Sequence, residues 1–210
     1  MSSSTSSSGS GSISSSRSVS GSRTLIFRIL TIAGGGLMLV SWFMPWWQAW
    51  IVALRELAVV IHPWGLESFM PQEYAAWLTG ADMPDFFAPL MWLYLVLCMA
   101  ALVFSLFASD KIRLGLGKFK LPLPQWLVVG VGVSFIVFVV VCAYVISLRA
   151  PEFYDAPLQG TVHVAFSDHE VSDVITSFQP GYLLACAVGP LLTVLGLLRG
   201  LIVGKPKLGT

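Results

Sequence analysis

The sequence predicts an all-α integral membrane protein: a four-transmembrane-helix bundle with both termini in the cytoplasm. Three observations carry that expectation. Four apolar stretches, at about residues 25–46, 86–108, 125–148 and 180–203, can each cross a hydrocarbon core of about 30 Å at about 1.5 Å per helical residue. Charged residues sort by sign between the connecting segments. Arg17, Arg23, Arg28, Lys111, Arg113, Lys118, Lys120, Arg199, Lys205 and Lys207 lie in the first, third and fifth polar segments or at their edges. Glu56, Glu67, Glu73, Asp82, Asp85, Glu152, Asp155, Asp168, Glu170 and Asp173 lie in the second and fourth; only Arg55, Arg149 and Asp110 break the pattern. Basic segments stay on the cytoplasmic side, so the acidic loops 47–85 and 149–178 are expected outside. Third, 56% of the residues are hydrophobic and only 11% charged, against about 25% charged in soluble domains.

The net charge of +1 sums a basic inner side and an acidic outer side. No basic cluster exceeds the short juxtamembrane ones, so no nucleic-acid partner is expected. Residues 1–22 are mostly Ser with Gly and Arg and read as a disordered cytoplasmic tail ahead of a membrane domain over 23–204. The tail lacks a secretory signal, and the first span is expected to act as an uncleaved anchor. Residues 205–210 read as a second cytoplasmic tail.

In the first span, Gly34, Gly35 and Gly36 cover nearly a helical turn and are expected to admit neighbouring helices on more than one side. Trp42, Pro45, Trp46 and Trp47 mark its outer interface. Beyond it, Trp47, Trp50, Ile51, Leu54, Ala58 and Ile61 recur at helical spacing, which predicts an interfacial helix closed by His62-Pro63. A second short helix is expected from about Gln72 to Leu78. The second span opens with Pro89 in its first turn, where a missing amide donor costs little. A short basic loop broken by Gly115, Gly117, Pro122 and Pro124 leads to the Val-rich third span, where Gly130 and Ser134 form a small-residue pair for helix packing. The second outer loop holds a short β segment, Thr161–Phe166, with Val162, Val164 and Phe166 alternating onto one face. A lone strand is unstable, so it must pair with a hairpin partner, the first loop or another protein. In the fourth span Pro190 is expected to kink the helix, while Gly189, Gly196 and Gly200 offer close packing.

Apart from Arg28 and Arg199 near inner ends, where both can snorkel to headgroups, the spans contain no ionisable acid, base or histidine. That argues against a proton relay or an embedded histidine-ligated haem in this chain alone. The cysteines Cys98, Cys142 and Cys186 all lie in spans, which leaves no outer-loop disulfide. Cys142 and Cys186 could share a depth, and packing is the simpler role. In the second outer loop His163, Asp168 and His169 have the ligand types of a zinc or copper site, to which His62 or Glu67 could add. An extended segment would hold the two histidines about 20 Å apart, so a turn must fold it back. No nucleotide-binding, zinc-protease, serine-hydrolase or CxxC motif is present, and no catalytic residues are assigned.

The long aromatic first outer loop, the shorter second one and Trp64-Gly65-Leu66 resemble the claudin-like tetraspans, which share cytoplasmic termini. Glu67 follows where that family's signature continues, and the loops lack its cysteines, so paracellular function is not carried over. Phe43-Met44-Pro45-Trp46-Trp47 and Pro180-Gly181-Tyr182-Leu183-Leu184-Ala185 resemble the span edges of prokaryotic four-span proteins, which implies architecture rather than activity.

The leading functional expectation is a non-catalytic accessory or structural subunit of a larger complex in the cell membrane. Its partners would be other membrane subunits and lipid, with a hetero-complex favoured over a homo-oligomer. Trp47, Trp50, Trp64, Trp77, Val162, Val164 and Phe166 would form the partner surface, and no cofactor beyond bound lipid is expected. The alternative is a self-assembling pore, small-molecule transporter or lipid-binding protein using Pro190 and the Gly34–Gly36 step. An outer-face metal protein using His163 and His169 is third.

Overall fold

The computed structural model describes residues 16–52, 55–69, 84–108, 113–116, 119–152, 155, 157–167 and 170–203. Four helices are long and apolar enough to cross a membrane: α1 (Ser16–Phe43), α2 (Phe87–Phe107), α3 (Leu123–Arg149) and α4 (Pro180–Val203). The last three agree with the expected spans to within two residues. Helix α1 begins at Ser16, inside the tract read as a tail, and ends at Phe43 because the chain turns through Pro45 into a strand.

The second feature of the fold is a five-stranded antiparallel sheet. The first connecting segment supplies β1 (Trp47–Ile51), β2 (Glu56–His62) and β3 (Gly65–Ser68). A separate hairpin of β4 (Arg113–Leu116) and β5 (Phe119–Pro122) joins α2 to α3 at the opposite helix ends. The other connecting segment supplies β6 (Gly160–Ser167) and β7 (Glu170–Phe178), and the order across the sheet is β3-β2-β1-β7-β6.

The interfacial helix expected over Trp47–Ile61 is therefore replaced by two strands. The apolar residues there fit a period of two as well as one of 3.6. Trp47, Ala49 and Ile51 are buried, while Gln48 and Trp50 between them are half-buried. The β-branched run Val59-Val60-Ile61 also favours extended backbone. What decides between the two periods is β7, which pairs with β1 from Trp47↔Phe178 to Ile51↔Val174. Arg55 turns the chain back with φ of +52°, a left-handed conformation rare outside glycine. The short helix expected at Gln72–Leu78 lies outside the described residues.

The β segment of the second loop is present and longer than expected. It has both a hairpin partner, β7, and through β7 a connection to the first loop.

Two cores hold the molecule together. Within the bundle, α4 packs against α3 and α1, and α2 against α3. Trp42, Met38, Val128, Phe135, Val188 and Leu192 form its centre, all essentially without exposed surface. The second core lies between one face of the sheet and the end of α3: Trp47, Ile51, Val59 and Val174 pack on Ile146 and Ala150. Conversely, large apolar side chains on the outer faces of all four helices stay exposed, among them Ile32, Leu97, Val140 and Leu183. In water such a belt would drive aggregation; it is the surface a hydrocarbon solvent accepts.

Glycines set the closest helix approaches, though not always those expected. A Cβ on Gly34 would lie 2.6 Å from Leu192 Cδ2 of α4, and one on Gly35 would lie 3.4 Å from Leu102 Cδ1 of α2. The triplet thus meets helices on two sides, while Gly36 faces open space. In α3 the packing glycine is Gly132 rather than Gly130, which has no neighbour within 4 Å of its missing Cβ. A Cβ on Gly132 would lie 2.6 Å from Thr193 N and 2.9 Å from Gly189 O, so backbone meets backbone there. Gly196 repeats the contact one level on, with Val129 N at 3.0 Å. Ser134, the other member of the expected pair, serves a different neighbour: its Oγ is 3.3 Å from the Tyr94 hydroxyl of α2.

Arg199 also departs from expectation. Instead of snorkelling it is 7% exposed, with its guanidinium 5.0 Å from the centre of the Phe27 ring of α1. The ring face offers the cation an electrostatic partner away from water. Arg28 is exposed.

Candidate functional site

The junction of sheet and bundle is built on Trp46. Its backbone N–H donates to Ile61 O and its carbonyl accepts from Gln179 N, both at 2.9 Å. Its indole Nε1–H donates to Ser41 O at 2.9 Å. One residue thereby ties α1, β2 and the start of α4. Ser41 adds a hydrogen bond from Oγ to Gly181 O at 2.9 Å. Gly181 is required at this crossing because a Cβ would lie 2.8 Å from Met44 Cβ and 2.9 Å from Met44 O. Trp47 continues the junction from the sheet side, donating its Nε1–H to Leu158 O at 2.8 Å.

Around Trp46 the aromatic side chains form one connected cluster. Phe138 stacks with Trp42 at 5.5 Å between ring centres and meets Trp46 edge-on at 5.7 Å. On the other side Trp46 meets Tyr182 at 5.8 Å, and Tyr182 stacks on Phe178 at 4.4 Å. His62 stacks on Trp64 at 4.8 Å, and Trp64 on Trp92 at 6.1 Å.

Against this cluster lies a cleft of about 90 Å³. Its walls come from α2 (Phe87, Met91), the second half of α3 (Phe138, Cys142, Val145) and the β2–β3 turn (His62, Pro63), with Trp46 at its back. The lining is almost wholly apolar and holds no charged group other than what His62 can carry. His62 Nε2 faces Glu67 Oε2 at 3.9 Å. His62 Nδ1 is buried with no hydrogen-bond partner among the described residues, and so are the indole Nε1 atoms of Trp64 and Trp42. Unpaired buried polar atoms of this kind are uncommon in native structures, and a bound group outside the chain is one of their ordinary explanations.

The expected site residues divide between several places. Trp47 and Val164 are buried inside the chain's own second core and are closed to any partner. Trp50 is half-buried, Trp64 belongs to the cluster beside the cleft, and Val162 packs partly on the second core. Trp77 lies outside the described residues; Phe166 is in β6. His163 is hydrogen-bonded through Nδ1 to Asp173 Oδ1 across the β6–β7 hairpin, an exposed pair. Asp168 and His169 lie outside the described residues. His62 and Glu67 do not join His163. His62 sits beside the start of β1, whereas Asp173 accepts from Val52 just past its end. Strands β2 and β6 are three strand spacings apart, each about 4.8 Å. Among the described residues no three His, Cys, Asp or Glu side chains gather as a metal-binding group. The three cysteines are free thiols.

Pro190 is exposed, and helix α4 runs through it without interruption. Gly34 is filled by Leu192. Neither lines the cleft at the junction. The sequence marks Trp46 and Gly181 only as residues at span edges; their roles at the joint appear only when the two distant segments meet. No protein-family model and no curated protein matches the chain.

Proposed function

We propose that the chain is a non-catalytic accessory subunit of a larger membrane complex, with the sheet outside and both termini in the cytoplasm. The sorting of acidic residues to the sheet end and basic residues to the other supports this orientation. The observation that carries the subunit role is the open edge of the sheet. Strand β6 is an edge strand of eight residues, and no described residue pairs with its outer side. Its sequence, Gly160–Ser167, contains no Lys, Arg or Pro, the usual guards of an exposed edge. A row of free backbone N–H and C=O groups on a rigid platform suits strand addition by a partner chain. Thr161 and Ala165 are exposed along it. Val162 and Phe166, expected at the partner surface, lie on this same strand.

Purification from native membranes in mild detergent tests the reading. A co-migrating partner is expected, and the double variant Thr161→Lys/Ala165→Lys should lose it while the chain stays folded. A monodisperse lone monomer from wild-type membranes would overturn the proposal.

A further inference from the structure

At the end of the bundle away from the five-stranded sheet, the β4–β5 hairpin divides its residues cleanly between two faces. We infer that this hairpin binds anionic lipid: it lies in the inner membrane interface, one face on the acyl chains and the other level with the phosphates.

The division follows from register. Arg113 pairs with Pro122, Leu114 with Leu121, Gly115 with Lys120 and Leu116 with Phe119. Residues alternate between the faces of a strand, and paired residues share a face. Leu114, Leu116, Phe119 and Leu121 therefore make up one face, and Arg113, Gly115, Lys120 and Pro122 the other. Every position on the first is apolar, and both cations fall on the second. An isolated two-stranded hairpin is at best marginally stable in water, so strands of four residues need a cover for their apolar face.

Location supplies that cover. Strand β5 ends at Pro122 and α3 begins at Leu123, so ladder and span are continuous. Pairing with Pro122 holds Arg113 at the same boundary. Phe107, the last residue of α2, is 81% exposed, so apolar surface on that helix runs to its inner end. Trp126, in the first turn of α3, is half-buried at the level where interfacial indoles collect. Among the described residues the main neighbour of the hairpin is α3 itself. The bilayer is the apolar phase next to a face that leads straight into a span.

Charge selects the lipid. Residues 109–124 hold Lys111, Arg113, Lys118 and Lys120 against Asp110 alone. Arg113 and Lys120 are diagonal neighbours on their face, about 7–8 Å apart, and Gly115 and Pro122 complete the square. That spacing suits one phosphate held between two cations. A zwitterionic head brings its own ammonium group and gains less. An amphipathic element with cations on its polar face binds an anionic interface through both terms at once.

The inference uses the proposed orientation only to name the leaflet. Vesicles with the same lipid in both leaflets test it independently of orientation and of any partner at the β6 edge. Spin labels at Leu116→Cys and at Gly115→Cys, in the full chain without its native cysteines, report the two faces by power saturation. In vesicles containing dioleoylphosphatidylglycerol, the label at 116 should relax with oxygen and the label at 115 with a water-soluble nickel chelate. Equal access of the chelate to both would overturn the inference. So would a label at 116 shielded from both reagents, which would mean that protein covers this face. Native mass spectrometry with the cysteines in place tests the head group, with dioleoylphosphatidylglycerol and dioleoylphosphatidylcholine as competing probes on the same acyl chains. The wild-type chain should prefer the glycerol lipid, and Arg113→Gln/Lys120→Gln should lower that preference by about fivefold for each cation removed. A preference unchanged in the double variant would overturn the assignment of the phosphate to this face.

Discussion

At the residue scale, the decisive positions are those where two backbones cross. Gly132 and Gly130 are two residues apart in one helix, yet only Gly132 has a neighbouring backbone in the place of its absent side chain. Overpacking a tight contact costs about 1–3 kcal/mol, and Gly132 is hemmed in by Thr193 N and Gly189 O, which cannot swing aside. Gly132→Ala should therefore destabilise the bundle by about that amount, read as an earlier midpoint in an SDS-titration unfolding curve. Gly130→Ala should stay within about 0.5 kcal/mol of wild type, because nothing lies within reach of the added methyl. That α3 carries small residues for close packing was legible; which ones do so was not. The helix is apolar all round, so its sequence has no polar face from which to read its rotation. The same holds for Arg199: position near a helix end suggested headgroups, but only the approach of α1 brought Phe27 beneath it.

At the scale of elements, the first loop shows how a strand can hide in a helical pattern. Trp47, Trp50, Ile51, Ala58 and Ile61 fall at helical intervals. The alternative pattern Trp47, Ala49, Ile51 becomes stable only when β7 supplies hydrogen bonds from the far end of the chain. The β signal at Thr161–Phe166 was legible because Val and Phe alternate there without a competing period. Strand β1 lies between β2 and β7 and so joins the two loops into one sheet. Ile51, 1% exposed, sits in the second core with Val59 and Val174. Ile51→Ala should cost about 2–5 kcal/mol through transfer and cavity terms. Amide hydrogen exchange should show protection falling in β2 and β7 together. Loss confined to one of the two strands would mean that the sheet does not open as a unit.

For the whole molecule, the arrangement is inverted relative to a water-soluble fold: apolar surface on the outside of the helices, tryptophans at the centre of the junction. At the sheet end the links from α1 into β1 and from β7 into α4 are short and are pinned together by Trp46, Ser41 and Gly181. The proposed orientation makes a direct prediction in intact cells. With the native cysteines removed, a cysteine at Ser68, exposed on β3, should react with a membrane-impermeant maleimide. A cysteine at Lys205 should react only after permeabilisation. The reverse result would invert the topology.

The sequence by itself determined the number of long apolar helices and the extent of the last three, because the cost of leaving polar groups in hydrocarbon imposes long uncharged runs. It also determined which connecting segments are acidic and which basic. Tertiary structure decided the rest: that the first loop is sheet rather than helix, that Trp47 faces inward, that Gly132 rather than Gly130 meets α4, and that His62 and Cys142 share a cleft. Each depends on contacts between segments far apart in the chain. Local periodicity records only what a residue's near neighbours require, and here the distant partner, not the neighbour, supplied the hydrogen bond or the packed face.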